Sequence, residues 1–181
     1  MSKQYIRERW KGIFVGALGG LAGWYAMRFY WRNVAPLLFP YEPGREDVPN
    51  VDPPSPFGKQ FERGETATMA LGRIIYTEVT DQEPESAETR ALLGGLTFLA
   101  CSVIMGAFYG MTRRVRRPVD VIGALFYGLW LWMGDTFIAA FLGLRAGPEA
   151  FSTQQHVWRL SGHWIYSFIT ANVTRVLYRF L

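Results

Sequence analysis

The chain has one cysteine, two histidines and little charge, with only 19% of its 181 residues being Asp, Glu, Lys or Arg. A lone Cys101 excludes an internal disulfide and a multi-thiolate metal centre, so it reads as a small apolar residue in a packed helix. The strings that mark common enzymes are also missing: there is no HExxH, no GxSxG and no phosphate-binding loop. The glycine-rich "GALGGLAG" does not supply one. Its spacing is wrong for a dinucleotide loop and no strand precedes it.

What is present is segregation. Half of the residues are hydrophobic and 16% aromatic, and they gather into long runs separated by dense charge. Four runs reach the roughly 20 residues needed to cross a hydrocarbon core: Gly12 to Trp31, Ala91 to Thr112, Val119 to Leu144, and His156 to Leu177. The expected fold is an all-α membrane protein, a single domain over 1–181 built as a bundle of four transmembrane helices. Its spans fall at about 12–31, 91–112, 119–144 and 156–177, with the 32–90 segment outside. The first run leaves the membrane through "GWYAMRFYWRN", bulky and basic rather than small-x-small, so it is expected to be an uncleaved anchor.

A net charge of +4 and a pI near 9.4 invite a nucleic-acid reading, but the positions of the charges remove it. With four spans, Lys3, Arg7, Arg9, Lys11, Arg113, Arg114, Arg116, Arg117, Arg175 and Arg179 all fall on one side. Glu42, Glu46, Asp47, Asp52, Glu62, Glu65, Glu78, Asp81, Glu83, Glu85, Glu88 and Glu149 fall on the other. The positive-inside rule places both termini in the cytoplasm and 32–90 across the membrane. The basic clusters read as topology signals and contacts to anionic lipid, not to nucleic acid.

The outer segment divides in two. Pro36, Pro40, Pro43, Pro49, Pro53, Pro54 and Pro56 predict an extended first half. In the second half, Ala67, Leu71, Ile74, Ile75 and Val79 recur at helical spacing, which predicts a short amphipathic outer helix over Glu65 to Thr80. That helix is expected to lie on the membrane or across the outer mouth of the bundle. The next helix is expected near "EPESAE", with Pro84 in its first turn. Gly12, Gly16 and Gly20 are spaced by four, as are Ser102, Gly106 and Gly110, a pattern that lets helix backbones pack closely in lipid.

Asp135 is the one carboxylate deep in the third run, where a charge costs about 2.5–3.5 kcal/mol on insertion scales. Ala124, Gly128 and Ala139 share its helical face, which turns it towards another helix. At about 1.5 Å per residue, Asp135 and Arg28 each lie about 24 Å from the inner ends of their spans, and His163 about 20 Å. The three form an expected intramembrane polar cluster. In the fourth run His156, Arg159, His163, Ser167, Thr170 and Thr174 make a polar stripe. Two readings stand side by side: hydrogen bonds that fix helix register, worth about 0.6 kcal/mol each, or a wet path along which Asp135 and His163 pass protons. No metal site and no cofactor are expected. The small residues in "SGHWIY" leave space for a tetrapyrrole with His163 as single axial ligand as an alternative. His156 and His163, about 10 Å apart on one helix, cannot ligate opposite faces of one metal.

These runs resemble a known family. "GIFVGALGGLAGWYAMRFYW", "GAFYGMT", "LWLWMGDTFIAAFLGL" and "SGHWIYSFITANVTRVLYR" are similar to the YagU-like family of four-span bacterial inner-membrane proteins of unknown function. The resemblance implies a multi-pass location in a bacterial inner membrane, with the 32–90 loop periplasmic, and Asp135 and His163 as recurrent polar positions. It implies no reaction.

The functional expectation is a non-enzymatic integral membrane protein. It would be a scaffold or accessory subunit packing against membrane lipids and other integral membrane proteins or itself, in a respiratory or photosynthetic complex for example. The alternative is a small transporter or proton-conducting protein using Arg28, Asp135 and His163. A third class is a cofactor- or lipid-binding protein using His163 or the outer helix.

Overall fold

The computed structural model describes residues 3–38, 49–112 and 121–180, with side chains from residue 9 onwards. The basic loop Arg113 to Arg117, Asp120 and the prolines at 40 and 43 lie outside those residues. Every regular element described is helical: α1 (Lys3–Phe29), a π-helical turn (Tyr30–Val34), α2 (Ala35–Leu38), α3 (Ala67–Thr80), α4 (Ala87–Thr112), α5 (Val121–Met133), a second π-turn (Gly134–Ile138), α6 (Ala139–Phe141), a short 3-10 turn (Pro148–Ala150) and α7 (Thr153–Phe180). Two of the helices described, Ala87–Thr112 and Val121–Phe141, are long and apolar enough to cross a membrane.

Local chemistry sets the ends of these helices. Thr66 caps α3, its hydroxyl accepting from the Met69 N–H at 3.3 Å. Ser86, not Pro84, starts α4: its hydroxyl accepts from the Thr89 N–H at 3.1 Å, and Pro84 precedes the helix. Its ring presets a helical φ, but the hydroxyl of Ser86 satisfies the N–H groups that a first turn leaves open. Ser152 and Gln155 form a reciprocal capping box at the start of α7, with Gln155 N–H donating to the Ser152 hydroxyl and Ser152 N–H to the Gln155 amide oxygen. The expectation that Pro36 is extended is corrected, because it lies in α2, directly after the first π-turn. Proline has no N–H to give the preceding turn, and a π-turn already displaces that hydrogen-bond ladder by a residue.

The chain forms two compact units. The first contains 1–40, 99–130 and 158–181. Within it the two small-residue ridges meet. A methyl group at Gly16 would lie 3.0 Å from the Gly110 Cα, and one at Gly20 would lie 3.0 Å from the Gly106 Cα, so α1 and the second half of α4 touch backbone to backbone. The other side of α1 meets α7, where Gly19 and Gly23 face Thr174 and Thr170. On α5, Gly128 receives Trp164 and Ser167 of α7. Tyrosines tie the helices laterally: Tyr166 donates to the Ser102 carbonyl at 2.6 Å and Tyr127 to the Met105 carbonyl at 2.7 Å. Tyr30 donates to the Ser161 hydroxyl at 2.7 Å, since that hydroxyl's own proton goes to the Trp158 carbonyl.

The second unit contains 41–98 and 131–157. Its core gathers Phe61, Ala70, Ala139, Leu144, Ala146 and Phe151, with Ala67, Leu71 and Ile74 packed on it. The amphipathic helix is present as α3, but it packs as a hairpin with the first half of α4, and Gly72 lies close against Leu93. Of its five apolar positions, Ile75 and Val79 remain exposed. A buried ion pair fixes the approach to it. Glu65, 3% exposed, accepts from Arg73 Nε at 2.9 Å and Nη2 at 3.1 Å, and Arg73 also donates to the Gln60 carbonyl at 2.7 Å. The hydrogen bond to Glu65 raises the pKa of Arg73, burial opposes it, and the charges of Glu65, Glu62 and Glu83 add to the rise.

Candidate functional site

The third hydrophobic run stays α-helical to Met133, widens into the π-turn Gly134–Ile138, and resumes as α6. The Ala139 N–H bonds the Gly134 carbonyl five residues back. Such an insertion upsets the carbonyl ladder at one position. Asp135 sits in this turn, and its carbonyl accepts from Arg145 Nη1 at 3.3 Å. The same nitrogen donates to the Asp135 carboxylate at 3.1 Å. The partner of the deep carboxylate is thus Arg145, ten residues downstream, whose side chain is 10% exposed against 33% for Asp135.

Gly143 brings Arg145 back. The helix ends in a Schellman motif, with the Gly143 N–H bonded to the Ala140 carbonyl at 3.0 Å and the Leu144 N–H to the Ala139 carbonyl at 2.9 Å. Gly143 has φ 78°, a left-handed conformation that favours glycine, and its Cα is pressed against the Gly58 carbonyl. The loop before α3 satisfies the remaining terminal groups. Ser55 Oγ donates to the Phe141 carbonyl at 2.7 Å and the Gln60 N–H to the Gly143 carbonyl at 2.8 Å.

A chain of ring contacts leads away from Arg145. The Arg145 guanidinium lies 4.4 Å from the Phe151 ring centre, close enough for cation–π attraction. Phe151 packs edge-on against His156 at 6.0 Å, His156 against Trp132 at 5.7 Å, and Trp132 against Phe137 at 6.3 Å. His156 Nε2 donates to the Pro148 carbonyl at 2.9 Å. Trp132 Nε1, Arg145 Nε and His156 Nδ1 are buried with no hydrogen-bond partner among the described residues. Such atoms also occur elsewhere among the described residues; what makes this the candidate site is that the intramembrane carboxylate expected from the sequence sits here in a π-turn with a buried arginine as its partner.

The remaining expected site residues lie in the first unit. Arg28 is exposed, its guanidinium 5.5 Å over Trp24. His163 is partly buried and its Nδ1 donates to the Arg159 carbonyl at 2.8 Å. Ser167, Thr170 and Thr174 are fully buried in the helix seams, and Ser167 donates to the Trp164 carbonyl at 3.0 Å. Of the stripe expected along the fourth run, His156 belongs to the second unit, and Arg159, His163 and the hydroxyls belong to the first. Among the described residues no group of three or more His, Cys, Asp or Glu is placed to hold a metal.

Arg145 was hidden from sequence reasoning, although its signal is present. A glycine two residues earlier, just past the last apolar turn, predicts a left-handed reversal that returns the following residues to the helix end. Comparison with protein-family models, with curated proteins and with solved structures gives no match.

Proposed function

We propose that the chain is a non-enzymatic, four-span integral membrane protein of the YagU-like kind, set in a bacterial inner membrane with both termini cytoplasmic, where it packs against other membrane proteins as a scaffold or accessory subunit. One observation carries this reading: small and hydroxyl-bearing residues take much of the first unit's interior, while many of its large apolar side chains face outwards. Gly16, Gly20, Gly106, Gly110, Ser167, Thr170 and Thr174 are buried, while Phe14, Leu21, Tyr25, Phe29, Ile104, Phe108, Ile122 and Phe126 are exposed. Water would penalise so large an apolar surface. Lipid removes the penalty and leaves close backbone packing and hydroxyl contacts to hold helices together. At 27 and 28 residues, α1 and α7 reach about 40 Å at 1.5 Å per residue, long enough to span. Exposed Trp10, Tyr25, Phe29 and Trp130 offer the rigid aromatic surface that protein partners favour.

The test is gentle detergent extraction from the native membrane, followed by size determination and mass identification of what co-migrates. A stable larger assembly of defined composition is expected. A particle holding this chain alone would sink the scaffold reading. Reporter fusions at both ends test the span count, because an even number requires the two ends on one side.

A second reading has its own observation. The Asp135 carboxylate is one-third exposed within a π-turn, a helix irregularity frequent at working sites. If it conducts protons, Asp135→Asn abolishes flux in vesicles while the protein still folds. Unchanged flux, or none in the parent protein, rejects that role.

A further inference from the structure

One end of the first unit collects cations without acids. Among its described side chains, at residues 9–38, 99–112, 121–130 and 158–180, there is no Asp or Glu. Glu8 and Asp120 lie outside them, against ten basic residues that the positive-inside rule assigns to the same side. Helices α1 and α7 run antiparallel, since Gly19 faces Thr174 and Gly23 faces Thr170. The start of α1 therefore meets the end of α7, and Lys11 Nζ lies 4.5 Å over the centre of the Tyr178 ring. Arg9 and Arg179 stand within two residues of this contact. Lys11 is half-buried, and the ring face attracts its ammonium without accepting a conventional hydrogen bond. The Tyr178 hydroxyl, at the rim of that ring, is about 5 Å from the ammonium, so with hydrogen bonds of about 2.8 Å both donors reach one phosphate group. On α1, Phe14 and Leu18 follow Lys11 by one and two turns on the same helical side, and both are exposed.

We propose that Lys11 and Tyr178 form a binding site for an anionic phospholipid of the inner leaflet, an inference that rests on the membrane reading above. The ammonium and the phenol O–H donate to the lipid phosphate, and an acyl chain lies along Phe14 and Leu18. A soluble phosphate ester has the same headgroup chemistry but nothing to place on that apolar track, so the occupant is the lipid. A zwitterionic lipid brings its own cation to a place already rich in them, so the anionic lipid is selected. The bound lipid bridges the first and last helices at a defined place. That distinguishes it from the general attraction of basic loops to an anionic leaflet.

The test is native mass spectrometry of the purified full chain, stripped of lipid in a neutral detergent and titrated with phosphatidylglycerol, phosphatidylcholine or glycerol phosphate. A phosphatidylglycerol adduct that saturates before any phosphatidylcholine adduct is expected, with no competition from glycerol phosphate. Lys11→Gln is expected to weaken phosphatidylglycerol binding about fivefold, the contribution of one cation beside an anionic lipid. Tyr178→Phe keeps the ring, removes the O–H and weakens binding by a smaller factor. Arg32→Gln removes an exposed cation from the π-turn at the far end of α1 and leaves the affinity unchanged. Phosphatidylcholine retention stays the same in every variant, and thermal melting confirms that each folds. Equal binding of the two lipids, displacement by glycerol phosphate, or the same affinity in folded Lys11→Gln and Arg32→Gln overturns the site and leaves the membrane reading standing. Recovery of the chain from cells without detergent overturns both.

Discussion

The seam between α1 and α4 gives the sharpest test of how this fold is held. In Gly106→Ala the added methyl would lie 2.5 Å from the Gly20 Cα and 2.6 Å from the Gly20 nitrogen. Those are backbone atoms, so no side chain can swing aside and the helices must part. Ordinary carbon contacts begin near 3.5 Å, which requires an opening of about 1 Å. A gap of that size forfeits a quarter to a half of each contact along the seam. At 0.1–0.2 kcal/mol per atom pair over some tens of pairs, the loss is about 2 kcal/mol. The gain in helix propensity from Gly to Ala, about 1 kcal/mol, offsets part of it. Overpacking commonly costs 1–3 kcal/mol, in keeping with that balance. Gly95→Ala, in the same helix, is the control: a methyl there meets nothing within 4 Å, so only the propensity gain remains. Measured by denaturant or thermal unfolding in one detergent, Gly106→Ala should be destabilised by about 1–3 kcal/mol while Gly95→Ala is neutral or stabilised. Equal stability of the two variants would refute the claim that backbone contact at these glycines joins the helices.

Three further expectations concern the second unit and its borders. Asp135→Asn and Arg145→Gln should each destabilise, and the double variant should recover part of the loss, with a coupling of about 1 kcal/mol in a double-mutant cycle because the carboxylate is partly solvated. Additive losses would mean that the pair is not an energetic unit. Glu65→Gln should cost about 1.5–3 kcal/mol in thermal unfolding through loss of the charged hydrogen bonds to Arg73. With its folded pKa raised, Arg73 contributes stability that is fully present below the ordinary arginine value and is lost only as pH rises beyond it, so between pH 6 and 10 it stays charged and adds no pH dependence. Ser152→Ala should cost about 1 kcal/mol by opening the capping box at α7, whereas Ser152→Asp should retain most of the stability.

Much of this was legible from residue order. The ridges Gly12, Gly16, Gly20 and Ser102, Gly106, Gly110 were evident as fours, and they do meet, because a period of four keeps small residues on one helical face whatever the partner. The helix over Ala67–Thr80 followed from apolar spacing, and Ala124, Gly128 and Ala139 are each buried. Pro36 misled because proline's effect depends on the turn before it, and a π-turn leaves no mark in composition. Ile75 and Val79 were grouped with Leu71 and Ile74 by period alone, and only the position of α4 shows which of them are covered.

The sequence by itself determined the helical class, the apolar stretches and the close-packing ridges. All of these depend on neighbours within a few residues and on a fixed helical period. Tertiary structure alone decided that Asp135 is answered by Arg145, that Glu65 is answered by Arg73, and that His156 keeps Trp132 and Phe151 for neighbours while Ser167 and Thr170 enter the helix seams. Charge pairing and ring contact depend on distances of a few ångströms between chain segments. Those distances are set by one left-handed glycine, one π-turn and the packing of whole helices, none of which the order of residues states outright.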